Sequence, residues 1–536
     1  MSRLPRGPAR LLAGLCALSL LAAPSSSQAF KKEAYPEKGL ELQRPRRYVE
    51  IPVQPTEPWI VLRYVEEKDE RSPKPIQPEL AIVRIDWKPD PEPEPEDGPE
   101  PEPEPGEGPA VKPGIDPDPE PVPPPITTLE RYAEQVLGGF TLGAEVELDE
   151  PKVQGAYVLH EYKLDPKGSG RQRGYAFAWR SAARTYALLG SCHETNLQEE
   201  LKTWRVVAEK LAIGDPVESK ETVKWRRYYE RRPELSSPEF RLKIRSAAVK
   251  GWEVEDSEHY ILVYSTKDEA LIRSLKQRLE AIRKAYLELF PPARAIEAVS
   301  AVRICRDADE YRKYGGPPGT GGYWHAPAEE LVFFDYADKD GDRGSGKEDS
   351  LIVLYHEAFH QYIHYSVGEL APHSWFNEGY GDYFSGAVLN AYGEVAKIGV
   401  NPWRINTIQR AIQEYEFVPW KEIIKFEQPE YYNPAIRHIC YAQGWSMIYF
   451  LNQSPEVKRN PLWSGILTTY FKVLKEEHAR ATAELDQAGV AKDDPKRAEA
   501  ELSTRKLAVE AAFKDVDLDK LERAWLAFTQ ELKPPK

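Results

Sequence analysis

The stretch Leu351-Ile352-Val353-Leu354-Tyr355-His356-Glu357-Ala358-Phe359-His360 decides how the rest of the chain is read. Apolar residues lead into a His-Glu-x-x-His pattern, and the spacing predicts a helix over 350–367. Positions i and i+4 of a helix share one face, so His356 and His360 can reach one ion while Glu357 projects beside them. A carboxylate placed there can take a proton from a metal-held water. The five-residue pattern is weak by itself, since chance supplies it often. The bland alternative is a helix with two partly exposed histidines and a solvated glutamate.

Working outward, the residues before the motif alternate between strand and helix patterns. Strands are expected at 259–265, 298–305 and 330–334, helices at 268–290 and 307–314, and a Gly/Asp-rich loop at 335–349. Beyond Glu378 the pattern is helical almost throughout, to 497–513 and 518–532. The expected fold is α+β, a sheet-bearing half followed by an all-helical half, with the motif at their junction and a domain spanning 251–536. Asp338-Lys339-Asp340-Gly341-Asp342 resembles a calcium loop superficially, but its glycine is misplaced and no glutamate closes it. It reads as a loop over the cleft.

A catalytic zinc takes three protein ligands and keeps a position open. His364, Glu369, His373 and Glu378 are the candidates for the third. His364 extends the histidine stripe along the same helix, a spread that closes poorly on one ion. Neither His364 nor His373 has the spacing of the histidine-ligand metzincin pattern. Glu378, within Ser374-Trp375-Phe376-Asn377-Glu378-Gly379-Tyr380-Gly381-Asp382, reads as the start of a second helix facing the first and fits better. Asp382, one turn later, can orient a ligand histidine by accepting its second N–H. His364, His373, His438 and Arg437 are further polar residues for the cleft, with a satisfied or exposed side chain as the alternative for each.

These blocks together resemble the gluzincin metallopeptidases. Trp-Phe-Asn-Glu-Gly follows the motif with 17 residues between His360 and Glu378, close to the segment of the aminopeptidase branch. Tyr441-Ala442-Gln443-Gly444-Trp445 is similar to that family's Tyr-x-x-Gly-aromatic helix. The resemblance covers roughly residues 255–455 and is nearest to the peptidase-MA-like domains of secreted bacterial proteins. It implies a zincin fold, Zn2+ on His356, His360 and Glu378, Glu357 as general base and Tyr441 as donor to the oxyanion. One departure matters: residues 321–330 lack the Gly-x-Met-Glu-Asn segment by which aminopeptidases take the substrate's α-amino group. An endopeptidase is therefore expected. The rival is a zincin-fold surface scaffold that no longer cleaves.

The flanking chain sets the context. With 536 residues, several folded units are expected. The net charge of −14 is local: residues 89–125 hold twelve acids, one lysine and 16 prolines, a net of −11. This reads as a stiff polyproline spacer, and the near-neutral remainder argues against a nucleic-acid partner. Residues 1–29 read as a signal peptide, with Arg3, Arg6 and Arg10 before an apolar run at 11–23 that is too short to span a bilayer. A secreted or cell-envelope location is expected, with no membrane span once the leader is removed, and the family resemblance implies a bacterial setting and a peptide or protein substrate. Residues 30–88 show short strands, 126–215 a small α+β module and 216–250 a charged helical connector. Cys192, Cys305 and Cys440 make no disulfide framework.

Overall fold

The computed structural model describes residues 29–69, 71–86, 126–150, 152–336, 345–390 and 394–534, residues 345–348 by backbone alone. The expected leader (all but Ala29), the 89–125 spacer and the 338–342 loop lie outside them. The chain divides into two compact units: the described residues of Met1–Val49 and Trp59–Glu218, and those of Glu50–Pro58 and Ser219–Lys536.

The first unit is built on an antiparallel sheet in which Ile60–Glu66, Glu79–Asp86, Arg184–His193, Gln172–Arg180, Tyr157–Pro166 and Phe140–Val146 are successive neighbours. The sequence reading kept 30–88 and 126–215 apart. Apart from Glu50–Pro58, their described residues are one unit, because Val83 pairs with Ala187, which pairs on its other side with Ala178. The reason lies in Glu79–Asp86: Leu80 and Ile82 bury on one face, Val83 and Ile85 on the other. A strand apolar on both faces needs cover above and below, which a short independent segment cannot supply. Trp204 of the helix Leu197–Glu209 packs on the first face and Leu129 of Leu129–Gln135 on the second.

The second unit holds a five-stranded sheet of β1 (Glu253–Asp256), β2 (Tyr260–Tyr264), β3 (Ser300–Cys305), β4 (Gly322–His325) and β5 (Glu330–Phe334), in the order β1-β2-β3-β5-β4. Strands β2, β3 and β5 are parallel and buried at every position, as central parallel strands must be. Strand β4 runs antiparallel on the edge, Trp324 opposite Leu331. The expected connector at 216–250 belongs to this unit from Ser219 onward. Its helices, Lys220–Glu230 and Pro238–Ser246, are tied to β1 at Asp256 Oδ1, the first by the Tyr229 hydroxyl at 3.1 Å and the second by Arg241 Nη1 at 3.1 Å.

Helix α1 (Glu269–Leu289) buries Leu271, Leu275, Leu279, Ile282 and Tyr286 at helical spacing. After it come α2 (Ala308–Lys313), α3 (Ser345–Val367), α4 (Ser374–Phe384), α5 (Ile405–Gln413) and α6 (Arg437–Gln453). The long C-terminal helices Ile466–Gln487, Pro495–Ala512 and Leu518–Glu531 follow. One core joins all of these but α2, with Trp375, Trp420, Trp445 and Trp525 fully buried, while Tyr311 of α2 packs in a separate cluster with Val332 and Phe334. The fold is thus α+β, as expected, with one addition: a small hairpin, Ala387–Leu389 with Val395–Ile398, interrupts the helical half. No helix among the described residues is long and apolar enough to cross a membrane. Among the described residues, Cys192, Cys305 and Cys440 are free and buried.

Candidate metal centre and its cleft

Helix α3 turns Leu354, Ala358 and Tyr362 into the core, which leaves His356 and His360 on the opposing stripe. Their ring centroids stand 4.6 Å apart at 86°. Helix α4 supplies the facing groups and is buried along its length except at Asn377. Two glycines let it approach. A Cβ on Gly379 would lie 2.6 Å from the Gly444 carbonyl of α6, and one on Gly381 would lie 2.9 Å from His356 Nδ1. Any larger residue at 381 would push the imidazole aside.

Three groups converge. Glu378 Oε2 stands 3.0 Å from His356 Nε2 and 3.5 Å from His360 Nε2, and the three ligand atoms lie within 4.8 Å of one another. The outer nitrogens are occupied: His356 Nδ1 lies 3.3 Å from Asp382 Oδ1, and His360 Nδ1 lies 3.0 Å from Asn377 Oδ1. Asp382 is itself held, its Oδ2 by Arg404 Nε at 2.6 Å and its carbonyl by Asn401 Nδ2 at 3.0 Å. The other oxygen of Glu378, Oε1, accepts from the Tyr432 hydroxyl at 2.6 Å.

The electrostatics favour positive charge at the centre. Burial works against a charged Glu378, yet the imidazoles of His360 and His356 hold it well below the usual carboxylate range. Burial likewise opposes a charged His356, but Asp382 and Glu378 raise it well above an ordinary histidine. Glu357 differs: burial raises its pKa, against the two imidazoles and a backbone hydrogen bond from Trp324. Two imidazole nitrogens and one carboxylate oxygen, each imidazole backed by an outer acceptor, form a donor set that could hold a metal ion.

A cleft of about 770 Å³ opens onto this centre, lined by Tyr311, Tyr336, His356, Glu357, Arg404 and Tyr441 among others. The expected residues His356, His360, Glu378, Glu357 and Asp382 are therefore brought together. Tyr441 lines the cleft but makes no hydrogen bond to the ligand set among the described residues. Its ring centroid lies 5.0 Å from Arg404 Cζ and 6.1 Å from the Tyr432 ring. Of the other ligand candidates, His364 packs against Trp324, ring centroids 6.1 Å apart. His373 is buried, its Nδ1 3.0 Å from the Tyr470 hydroxyl, and Glu369 is exposed. His438 and Arg437 do line the cleft. Sequence reasoning missed Tyr432, Arg404 and Asn377. Asn377 had a signal, since it directly precedes Glu378, whereas Tyr432 and Arg404 stand in stretches with no motif.

A second group, Glu258, His259 and Glu280, also comes within ligand reach. It reads as a turn brace, because Glu280 Oε1 already accepts from Ser257 Oγ at 2.7 Å and the His259 amide at 3.0 Å.

Residues 350–459 match a family model described as a protein of unknown function, DUF1570. No curated protein matches the chain. Among solved structures, similarity is found to cyanobacterial PsbP (CyanoP) from Synechocystis sp. PCC 6803, at 10% identity over 36% of this chain and 96% of that one, TM-score 0.22. It is also found to LpqN, involved in cell envelope biogenesis of Mycobacterium tuberculosis, at 12% identity over 35% and 91%, TM-score 0.19. Superpositions this poor carry no argument about fold or function.

Proposed function

We propose that the second unit is a zinc-dependent peptidase of the gluzincin type, with a zincin fold, acting on peptide bonds within a chain. The observation that carries the reading is the convergence of His356 Nε2, His360 Nε2 and Glu378 Oε2 on one point, with Glu357 beside them on the cleft. Zinc suits this nitrogen-and-oxygen set and, when bound, would make a water acidic and polarise a carbonyl. The chain's own groups do the rest. Glu357, buried and biased towards holding a proton, accepts one from the attacking water and passes it to the leaving amine. Asp382, fixed by Arg404, keeps His356 oriented with Nε2 inward. Tyr441, on the cleft wall, supplies a phenol to the developing oxyanion.

The endopeptidase mode has two supports. Strand β4 ends the sheet, so its outer backbone edge can pair with an extended substrate strand, while Tyr323 packs on Tyr311 and Trp324 on His364 and Tyr365. The glutamates near it are already engaged: Glu330 is buried on Arg303 Nε at 2.7 Å, and Glu329 Oε1 accepts from Tyr365 at 2.6 Å. Neither is left waiting for a substrate amine. The leader read in residues 1–29 assigns the enzyme to the secreted or cell-envelope space.

The test measures zinc in the purified chain and cleavage of a mixed peptide library. Close to one zinc per chain is expected, lost in the His356→Ala, His360→Ala double variant and kept in His364→Ala. A double variant with full zinc sinks the assignment. A zinc-loaded wild type that cleaves nothing returns the chain to the scaffold reading. Free and N-acetylated forms of one good substrate should be cut at rates within a fewfold, whereas loss on acetylation indicates an aminopeptidase.

A further inference from the structure

One arginine of the cleft stands outside its ion pairs. Among the described residues lining it, Glu357 and Asp382 are the acids, and Arg312, Arg404 and Arg437 the arginines. Asp382 takes Arg404 at 2.6 Å, and Arg312 pairs with Asp309 on its own helix. Glu357 belongs to the reacting centre. Arg437 is exposed and has no acidic partner among the described residues.

Its position gives that charge a use. Arg437 opens α6, and Tyr441 follows four residues later on the same face, about 6 Å along. An extended peptide advances about 3.3 Å per residue. A guanidinium one turn from the Tyr441 phenol therefore stands about two residues from a carbonyl held there. We propose that Arg437 selects substrates bearing a carboxylate within about two residues of the cleaved bond. This rests on the peptidase reading above. The planar fork of the guanidinium matches a carboxylate bidentately, which an amide or hydroxyl cannot reproduce. The carboxylate belongs to an acidic side chain or to the substrate's own C-terminus.

The experiment uses the full zinc-loaded chain and one neutral peptide that it cleaves. Glutamate is placed in turn at each of three positions on either side of the cut, and each peptide is made as free acid and as amide. One glutamate position, or the free acid, should raise kcat/KM about tenfold, mostly through KM, with the gain fading towards about 1 M salt as the Debye length falls to about 3 Å. Response to an internal glutamate in the amides identifies a side chain, and response to the free acid alone identifies a C-terminus. Arg437→Gln should abolish the gain, Arg437→Lys keep part of it, and Arg437→Glu turn the preference towards lysine. Equal cleavage of neutral and acidic peptides by the wild type, or an unchanged preference in Arg437→Gln, overturns the inference and leaves the peptidase standing. A zinc-loaded wild type that cuts no peptide sinks the peptidase reading instead. Arg437 is then judged by calorimetry with the acidic peptides, where equal affinity of wild type and Arg437→Gln overturns its role.

Discussion

Tyr432 donates its hydroxyl to Glu378 Oε1 at 2.6 Å, which leaves Oε2 as the oxygen facing His356 Nε2 and His360 Nε2. The tyrosine thus fixes which carboxylate oxygen is offered to a metal. Tyr432→Phe should weaken zinc binding by about 10–100-fold, the cost usual for an outer partner of a ligand. Tyr441→Phe should leave zinc affinity in place and lower kcat by about 100-fold or more. Chelator competition and steady-state kinetics separate the two, and a swapped pattern would exchange their roles.

Glu357→Gln keeps the size of the side chain and removes the base. Zinc content and melting temperature should hold within error, while turnover on any cleaved peptide falls by about 100-fold to 10,000-fold. Wild-type rates in this variant would exclude Glu357 as the proton carrier.

Gly381→Ala tests the contact between α4 and the metal ligand. In an ordinary helix interior the change would stabilise by about 1 kcal/mol. Here the new methyl would meet His356 Nδ1 at 2.9 Å and Cε1 at 3.0 Å, displacing the ring from Asp382 and from the centre. Zinc affinity should fall at least about tenfold, since ligand orientation is what the outer partner supplies. A variant that melts higher and binds zinc as the wild type does would show that the ring moves aside without cost.

His373 carries a pH dependence of stability away from the centre. Burial first, then the charge of Arg505, push its pKa down to about 3; Tyr470 and Glu427, 3.5 Å from Nε2, are its other neighbours. In the unfolded chain a histidine titrates near about 6.5. Above that value neither state is protonated and the residue's contribution is complete. Below it the unfolded chain takes up a proton that the folded chain refuses, so stability is lost progressively towards about pH 3. Between about pH 6.5 and 5, wild type should lose up to about 1.4 kcal/mol per pH unit more than His373→Gln. Urea midpoints across that range measure it, and parallel curves for the two proteins would disprove it.

Local pattern was enough to determine the parts of this protein whose cause is local. His356 and His360 share a helix face, with Glu357 beside them, because 3.6 residues make a turn, and the Asn-Glu-Gly block marked Glu378 on the next helix, though in its second turn and not at its start. The parallel strands announced themselves as short apolar runs for the same kind of reason. What the tertiary structure decided depends on groups far apart in sequence. Tyr432 reaches Glu378 across 54 residues and Arg404 reaches Asp382 across 22. Neither stretch has a period or motif, because a side chain that meets its partner through chain folding leaves no spacing to read. The joining of 30–88 to 126–215 is of the same kind. A strand records how it buries its own two faces, but not which strand completes its hydrogen bonds, and β pairing between Val83 and Ala187 is set only when the whole sheet closes.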